Sequence, residues 1–92
     1  MKYFDWNDEK NEILKKARGV SFEQVELAMA SGDLIDRVKH PNPEMYPNQK
    51  IFLVKIDDYI YSVPHVEDNE KIFLKTIIPN SKATKEYFGG KK

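Results

Sequence analysis

The chain has 92 residues, 40% of them hydrophobic and 33% charged, so it can bury one small core and is too apolar to be disordered. It contains no cysteine, which excludes disulfides and thiolate metal sites, and no apolar run long enough to span a membrane, so a cytoplasmic protein without a membrane role is expected. The charges of fifteen basic and fifteen acidic side chains cancel, but residues 71–92 carry six basic side chains and one acidic side chain. This basic end of the chain can bind phosphates or can simply be solvated.

Two helices are expected in the first third of the chain, because both have recognisable end signals. The first follows Asn7, whose side chain can cap it, and ends at Gly19. The second runs from about Phe22 to Ser31 and is followed by a glycine suited to a left-handed cap. Ser21 immediately before this helix and Gln24 in its first turn have the spacing of a capping box.

From Leu34 onward the chain is rich in β-branched and aromatic residues, which favours strands. Four strands are predicted, at Leu34–Val38, Ile51–Ile56, Tyr59–Val66 and Lys71–Ile78, and Met1–Phe4 is a candidate short edge strand. Asp57 and Asp58 fit a two-residue hairpin loop, which would pair Val54 with Tyr61. A four-residue loop at Glu67–Glu70 would then place Lys75 opposite Ser62.

This pairing divides the predicted sheet into two faces. The apolar face, expected to receive the helices, carries Phe52, Val54, Ile56, Tyr59, Tyr61, Val63, Ile72 and Leu74. The opposite face carries Lys55, Ser62 and Lys75 among Ile60, Phe73 and Ile77. A one-residue error in register would exchange the two sets.

A short helix follows Pro79, with Asn80 or Ser81 as its cap and Gly89-Gly90 as its stop. The expected fold is therefore one α+β domain over residues 1–92. It has two N-terminal helices, a mostly antiparallel sheet of about four strands, and a short C-terminal helix.

Motifs near both ends of the chain form a recognisable combination. Phe4–Asn7 (FDWN), Lys10–Asn11 and Arg18–Glu23 (RGVSFE) stand near the start, and Thr76–Tyr87 (TIIPNSKATKEY) near the end. In this order and spacing they resemble the BrnT family of bacterial toxin ribonucleases, whose patterns are F-x-W-D, K-N, K-H-G-V-S-F-E and I-I-S-A-R-K-A-T. The resemblance covers about half of the chain.

The resemblance implies a RelE-like fold, a metal-independent ribonuclease activity without cofactors, and a cognate DNA-binding antitoxin protein as partner. The expected function is a toxin endoribonuclease that cleaves mRNA, with ribosome assistance, to arrest translation. Arg18 and Ser81 depart from the family pattern, which has histidine and arginine at those positions. Ser81 and the zero net charge favour the alternative, a toxin-like binding module that engages an antitoxin or nucleic acid without cleaving it.

Metal-free RNA cleavage needs a base, an acid and cations that stabilise the phosphorane. His40 and His65 are the two histidines of the chain, and histidine suits proton transfer near neutral pH. Both are candidate catalytic residues. His40 is the first choice because it lies in a proline-rich loop, whereas His65 at a strand end can equally well pack or hold a turn.

Candidate RNA-binding residues are lysines and one tyrosine. Lys55 and Lys75 would rise from the less apolar sheet face, and Lys82 lies in the first turn of the terminal helix, where exposed amides attract anions. A lysine that merely keeps a sheet face soluble is an equal alternative for Lys55 and a weaker one for Lys75. Tyr46 could stack on a base. No metal site is expected, because two isolated histidines make no recognisable ligand spacing.

Overall fold

A computed structural model describes residues 2–89 of the chain, which contain three helices and a six-stranded sheet. In chain order the elements are β1 (Tyr3–Asp5), α1 (Asp8–Arg18), α2 (Phe22–Ala30), β2 (Leu34–Lys39), β3 (Gln49–Ile56), β4 (Tyr59–Glu67), β5 (Lys71–Leu74), β6 (Ile78–Pro79) and α3 (Ser81–Gly89). The strand order is β1-β5-β4-β3-β2, and β6 pairs with β4. The α+β class is confirmed, with more strands than the four predicted.

The sheet is mixed, because β1 runs parallel to its neighbour β5 while the other pairs are antiparallel. The predicted edge strand Met1–Phe4 corresponds to β1, although Met1 lies outside the described residues. At the other end, Gly89 is the last residue of α3, and Gly90 of the predicted stop also lies outside them. No helix among residues 2–89 is both long enough and apolar enough to cross a membrane.

The ends of α1 and α2 follow their capping residues. Gly19 ends α1 in the left-handed conformation, with φ of 70°. The Ser21 side chain accepts a hydrogen bond from the Gln24 amide at 3.2 Å, and the Gln24 side chain accepts one from the Ser21 amide at 3.0 Å, so the capping box is confirmed. α2 ends at Ala30, and Gly32 has the expected positive φ, 84°.

The hairpin between β3 and β4 has the predicted register. Val54 lies opposite Tyr61 and Lys55 opposite Ile60. Asp57 adopts a left-handed φ of 57° in the two-residue turn, a conformation that aspartate tolerates better than most residues. The local turn chemistry was therefore sufficient to predict this part of the sheet.

The connection from β4 to β5 was predicted wrongly. β4 continues through Glu67, so the loop is residues 68–70 rather than Glu67–Glu70. The Asp68 carboxylate accepts hydrogen bonds from the amides of Glu70 and Lys71 at 2.8 and 2.9 Å, which tightens the turn. The register of β5 against β4 therefore differs from the prediction by two residues. Because side chains alternate between the two faces with a period of two, the side chains of β5 still lie on their predicted faces.

The predicted strand Lys71–Ile78 is in fact broken between β5 and β6. The break shifts the pairing by a further residue, so Ser62 lies opposite Ile78 instead of Lys75. It also turns Ile77 away from its predicted face and into the core, where its side chain is fully buried. The burial of this large aliphatic side chain favours the irregular backbone.

The hydrophobic core lies between α1, α2 and one face of the sheet, which we call the front face. Its buried members are Leu14, Val20, Phe22, Val25, Ala28, Phe52, Val54, Ile56, Val63, Leu74 and Ile77. The sole tryptophan, Trp6, stacks on Phe22 with 5.7 Å between ring centroids. Beyond this core, the front face also carries charged residues. They lie toward the C-terminal ends of β2 and β4 and the N-terminal end of β3.

The opposite face of the sheet, the back face, is covered in part by α3. The Asn80 side chain caps this helix by accepting a hydrogen bond from the Ala83 amide at 2.9 Å. The Thr84 hydroxyl accepts one from the Ile60 amide of β4, also at 2.9 Å, and Ile60 is fully buried beneath the helix. No side chain of α3 is itself buried.

Candidate functional site

The charged end of the front face forms a surface groove. Lys50 on β3 lies directly opposite His65 on β4, and Arg37 on β2 lies opposite Phe52. Two adjoining depressions here, the larger about 400 Å³, share the side chains of Lys50, His65 and Glu67. We call them together the charged groove and define it by Lys2, Arg37, Lys50, Phe52, His65 and Glu67.

His65 is held firmly at the floor of the charged groove. Its ring stacks on Phe52 with 3.6 Å between centroids and 9° between planes, and the residue is only 1% exposed. Its Nδ1 lies 3.1 Å from the carbonyl oxygen of Val63. Because a carbonyl oxygen can only accept, Nδ1 must carry the proton in this contact. In the neutral ring, Nε2 is then the atom with the free lone pair.

The Nε2 atom of His65 is the ring nitrogen that the Val63 contact leaves available. It has no hydrogen-bond partner among residues 2–89. His65 lines both depressions of the charged groove, although only 1% of the residue is exposed. Nε2 is therefore the candidate proton acceptor of this site.

Burial lowers the pKa of His65 below its ordinary value, because the charged form loses its hydration. The Val63 carbonyl and the Glu67 carboxylate oppose this effect, whereas Lys50 and Arg37 add to it. The balance keeps the imidazole neutral at pH 7 and able to accept a proton. This protonation state suits a general base.

Glu67 stands beside His65 in the groove and is paired with Lys2. The hydrogen bond from the Lys2 ammonium group is the main cause that lowers the pKa of Glu67, so this carboxylate is ionised at neutral pH. Its negative charge favours the protonated form of the neighbouring imidazole. Lys2 in turn adds a third cation to the groove, with Arg37 and Lys50.

The lowered pKa of His65 predicts that the protein loses stability as the pH falls from about 7 to 5. The unfolded chain takes up a proton at a histidine pKa of about 6.5, whereas the folded chain resists protonation to lower pH, so acid favours unfolding. Urea unfolding between pH 7.5 and 5 should show this slope, and His65→Gln should remove it. Glu67, with its lowered pKa, adds a loss only below about pH 4.5. An unchanged slope in the variant would contradict the prediction.

The other predicted catalytic residue, His40, lies in the loop of residues 40–48, outside the charged groove. Its ring packs against Tyr46 with 4.4 Å between centroids, and its Nδ1 accepts a hydrogen bond from the Asn42 amide at 3.0 Å. The same loop contributes Pro47 to the rim of the groove. The structure therefore brings His65 but not His40 together with the cations of the groove.

The three predicted RNA-binding lysines also lie away from the charged groove. Lys55 shares the back face with Ile60, opposite which it lies. Lys75 belongs to the same side, because its ammonium group lies 5.7 Å from the centroid of the Phe73 ring. Lys82 is exposed in the first turn of α3. These lysines and His65 are therefore on opposite faces of the sheet.

Sequence reasoning did not select Lys50, Glu67 or Lys2 as site residues, and it named Arg37, with Lys39, only as a cation that could join the phosphate-binding lysines from the neighbouring strand. A signal for Lys50 was nonetheless available, because extending the correctly predicted hairpin register places it opposite His65. Glu67 was predicted to begin the following loop, but the strand extends to it, and alternation then puts it on the same face as His65 two positions earlier. Lys2 had no such signal, because its position depends on the parallel pairing of β1 with β5.

No family model, curated protein or solved structure matches this chain. Among residues 2–89 there is also no cluster of three or more histidine, aspartate or glutamate side chains that could hold a metal ion. The resemblance to BrnT toxins therefore stands on the motifs of the chain alone, and the chemistry has to be argued from the charged groove.

Proposed function

We propose that the protein is the toxin of a toxin-antitoxin pair, a RelE-like, metal-independent endoribonuclease that cleaves mRNA in the cytoplasm. The motifs near both ends support the family, and the charged groove supports the chemistry. The observation that carries the proposal is His65, a neutral imidazole whose Nδ1 is bonded to Val63 and which lines the same depression as Lys50 and Arg37.

In the proposed reaction, Nε2 of His65 removes the proton from a ribose 2′-hydroxyl. The 2′-oxygen then attacks the adjacent phosphorus, and the 5′-oxygen of the next nucleotide leaves. Lys50 and Arg37, which line the same depression as His65, stabilise the negative charge that grows on the phosphorane, and the Lys50 ammonium group protonates the leaving oxygen. The products carry a 2′,3′-cyclic phosphate and a 5′-hydroxyl.

Glu67 assists this reaction through charge. The imidazolium that forms when His65 takes up the proton is favoured by the neighbouring carboxylate, which is itself ionised through its pairing with Lys2. A carboxylate beside a catalytic histidine plays a comparable part in other enzymes that use histidine as a base. Lys2 offsets the negative charge of Glu67, which favours the approach of a phosphate to Lys50 and Arg37.

The second candidate function is a binding module that engages an antitoxin or nucleic acid without cleavage. It is supported by Ser81, which stands where the family has an arginine and is exposed at the start of α3, away from the charged groove. The zero net charge also gives little general attraction for RNA. Cleavage of RNA by the purified protein separates the two functions.

Expression of the protein alone is expected to stop cell growth, and co-expression of the neighbouring gene is expected to relieve the arrest. The purified protein should cleave single-stranded RNA in the presence of EDTA and leave 5′-hydroxyl ends. Normal growth with abundant folded protein would contradict the toxin assignment. RNA that is bound but not cut would support the binding module, and cleavage abolished by EDTA would reject the metal-free mechanism.

A further inference from the structure

The back face of the sheet retains exposed apolar surface beside α3. Leu53 and Phe73 are half-buried there, and Ile78 and Tyr87 are each 42% exposed. Leu53 and Tyr87 line opposite sides of a shallow depression of about 240 Å³ between β3 and α3. Side chains of this kind lose water favourably when another apolar surface covers them.

Basic side chains surround this apolar surface. The ammonium group of Lys75 lies over the Phe73 ring, and α3 carries Lys82 and Lys85, both exposed. Lys71 also approaches Phe73, but its charge is paired with Asp5 at 3.2 Å. We call Leu53, Phe73, Lys75, Ile78, Lys82 and Tyr87 together the back-face patch.

Acidic groups only partly offset these lysines. Asp36 and Glu86 stand at the rim of the depression. The Asp36 carboxylate accepts a hydrogen bond from the Arg37 amide at 2.8 Å. Lys75, Lys82 and Lys85 stand against these two acidic residues, so the surroundings of the apolar surface carry a small net positive charge.

The composition of the back-face patch favours a protein over RNA. An RNA phosphate needs cations but gains nothing from the aliphatic surface of Leu53 and Ile78, whereas an amphipathic protein segment uses both. The charged groove also lies on the front face, so an RNA held beside His65 is on the other side of the sheet from Lys75.

We propose that the back-face patch binds an acidic amphipathic segment of a partner protein. The apolar side chains of this segment would cover Leu53, Ile78 and Tyr87, and its carboxylates would pair with Lys75 and Lys82. The patch shares no residue with the charged groove, so this interaction stands or falls separately from ribonuclease activity. In a toxin-antitoxin pair, the partner would be the antitoxin.

The binding test uses the full chain and three fluorescent probes. These are a helical amphipathic peptide of leucine and glutamate, a matched peptide of leucine and lysine, and single-stranded oligouridine. Fluorescence anisotropy should show the glutamate peptide bound roughly tenfold more tightly than the lysine peptide, with an affinity that falls as salt screens the lysines. Absence of binding, or equal affinity for the two peptides, would overturn the proposal.

Charge-reversed variants locate the binding site. Lys75→Glu combined with Lys82→Glu should reverse the preference between the two peptides. The matched control, Lys16→Glu with Lys39→Glu, makes the same change in net charge away from the patch and should keep the wild-type preference. Tyr87→Ser should weaken the binding of the glutamate peptide through the lost apolar contact.

Two results with these variants would count against a protein partner. The first is an equal loss of glutamate-peptide binding in the control variant and the patch variant. The peptide would then be attracted by the net charge of the protein and not by the back-face patch. The second is oligouridine binding that disappears in the Lys75 and Lys82 variant alone, which would assign the surface to RNA. Thermal unfolding of each variant shows whether it is folded.

Discussion

Replacing His65 with glutamine should reduce RNA cleavage by roughly a hundred- to ten-thousandfold, the usual loss when a general base is removed. The substitution removes the ring nitrogen proposed to accept the proton, while Lys50 and Arg37 remain to hold the phosphate. RNA binding should therefore change little, so the loss should appear in the rate of the chemical step rather than in affinity.

The matched control for this experiment is His40→Gln, which removes the other imidazole of the chain from an exposed loop. Its cleavage rate should stay close to wild type, because His40 packs on Tyr46 and does not line the groove. Cleavage would be followed at saturating RNA, and binding by filter retention in parallel. A His40 variant that loses cleavage while the His65 variant retains it would contradict the assignment and restore the first choice made from sequence.

The largest effect on stability is expected for Phe22→Ala. Phe22 is fully buried, stacks on Trp6 and lies in the core between α2 and the front face. Removing a phenyl ring from such a position costs about 3 to 5 kcal/mol, from a total stability that for small domains is about 5 to 15 kcal/mol. The variant should therefore lose a large share of its free energy of unfolding and unfold at a clearly lower urea concentration than the wild type.

Urea unfolding followed by circular dichroism would measure this loss without depending on the fluorescence of Trp6, whose surroundings the substitution changes. Ile13→Ala is the matched control, because Ile13 is also a large apolar residue of an N-terminal helix but is 59% exposed. Its effect should stay within about 0.5 kcal/mol. Equal destabilisation by the two substitutions would be incompatible with the described packing of α1 and α2.

The features that the sequence predicted correctly depend on residues close together in the chain. The capping box needs only Ser21 and Gln24, which lie three positions apart and satisfy each other's amides. The hairpin register needs only the two-residue turn at Asp57 and Asp58 and the alternation of the strands on either side. Short-range hydrogen bonds of this kind depend mainly on the local order of residues, so the sequence alone indicates them.

The features that the sequence did not predict depend on distant residues. Ile77 faces the core because a break between β5 and β6 lets it fill space beside the helices, and the preceding residues show no sign of that space. Lys2 reaches Glu67 only because β1 pairs with β5 from the far end of the chain.

The choice between the two histidines belongs to this second group, because it was decided by what each ring contacts. His65 lies between Phe52 and the Val63 carbonyl, whereas His40 meets a tyrosine of its own loop. The sequence by itself determined the helix ends, the hairpin and the presence of two histidines and several lysines. Only the tertiary structure decided which histidine meets the cations and which lysines lie on the back face, because both depend on packing and strand register between segments far apart in the chain.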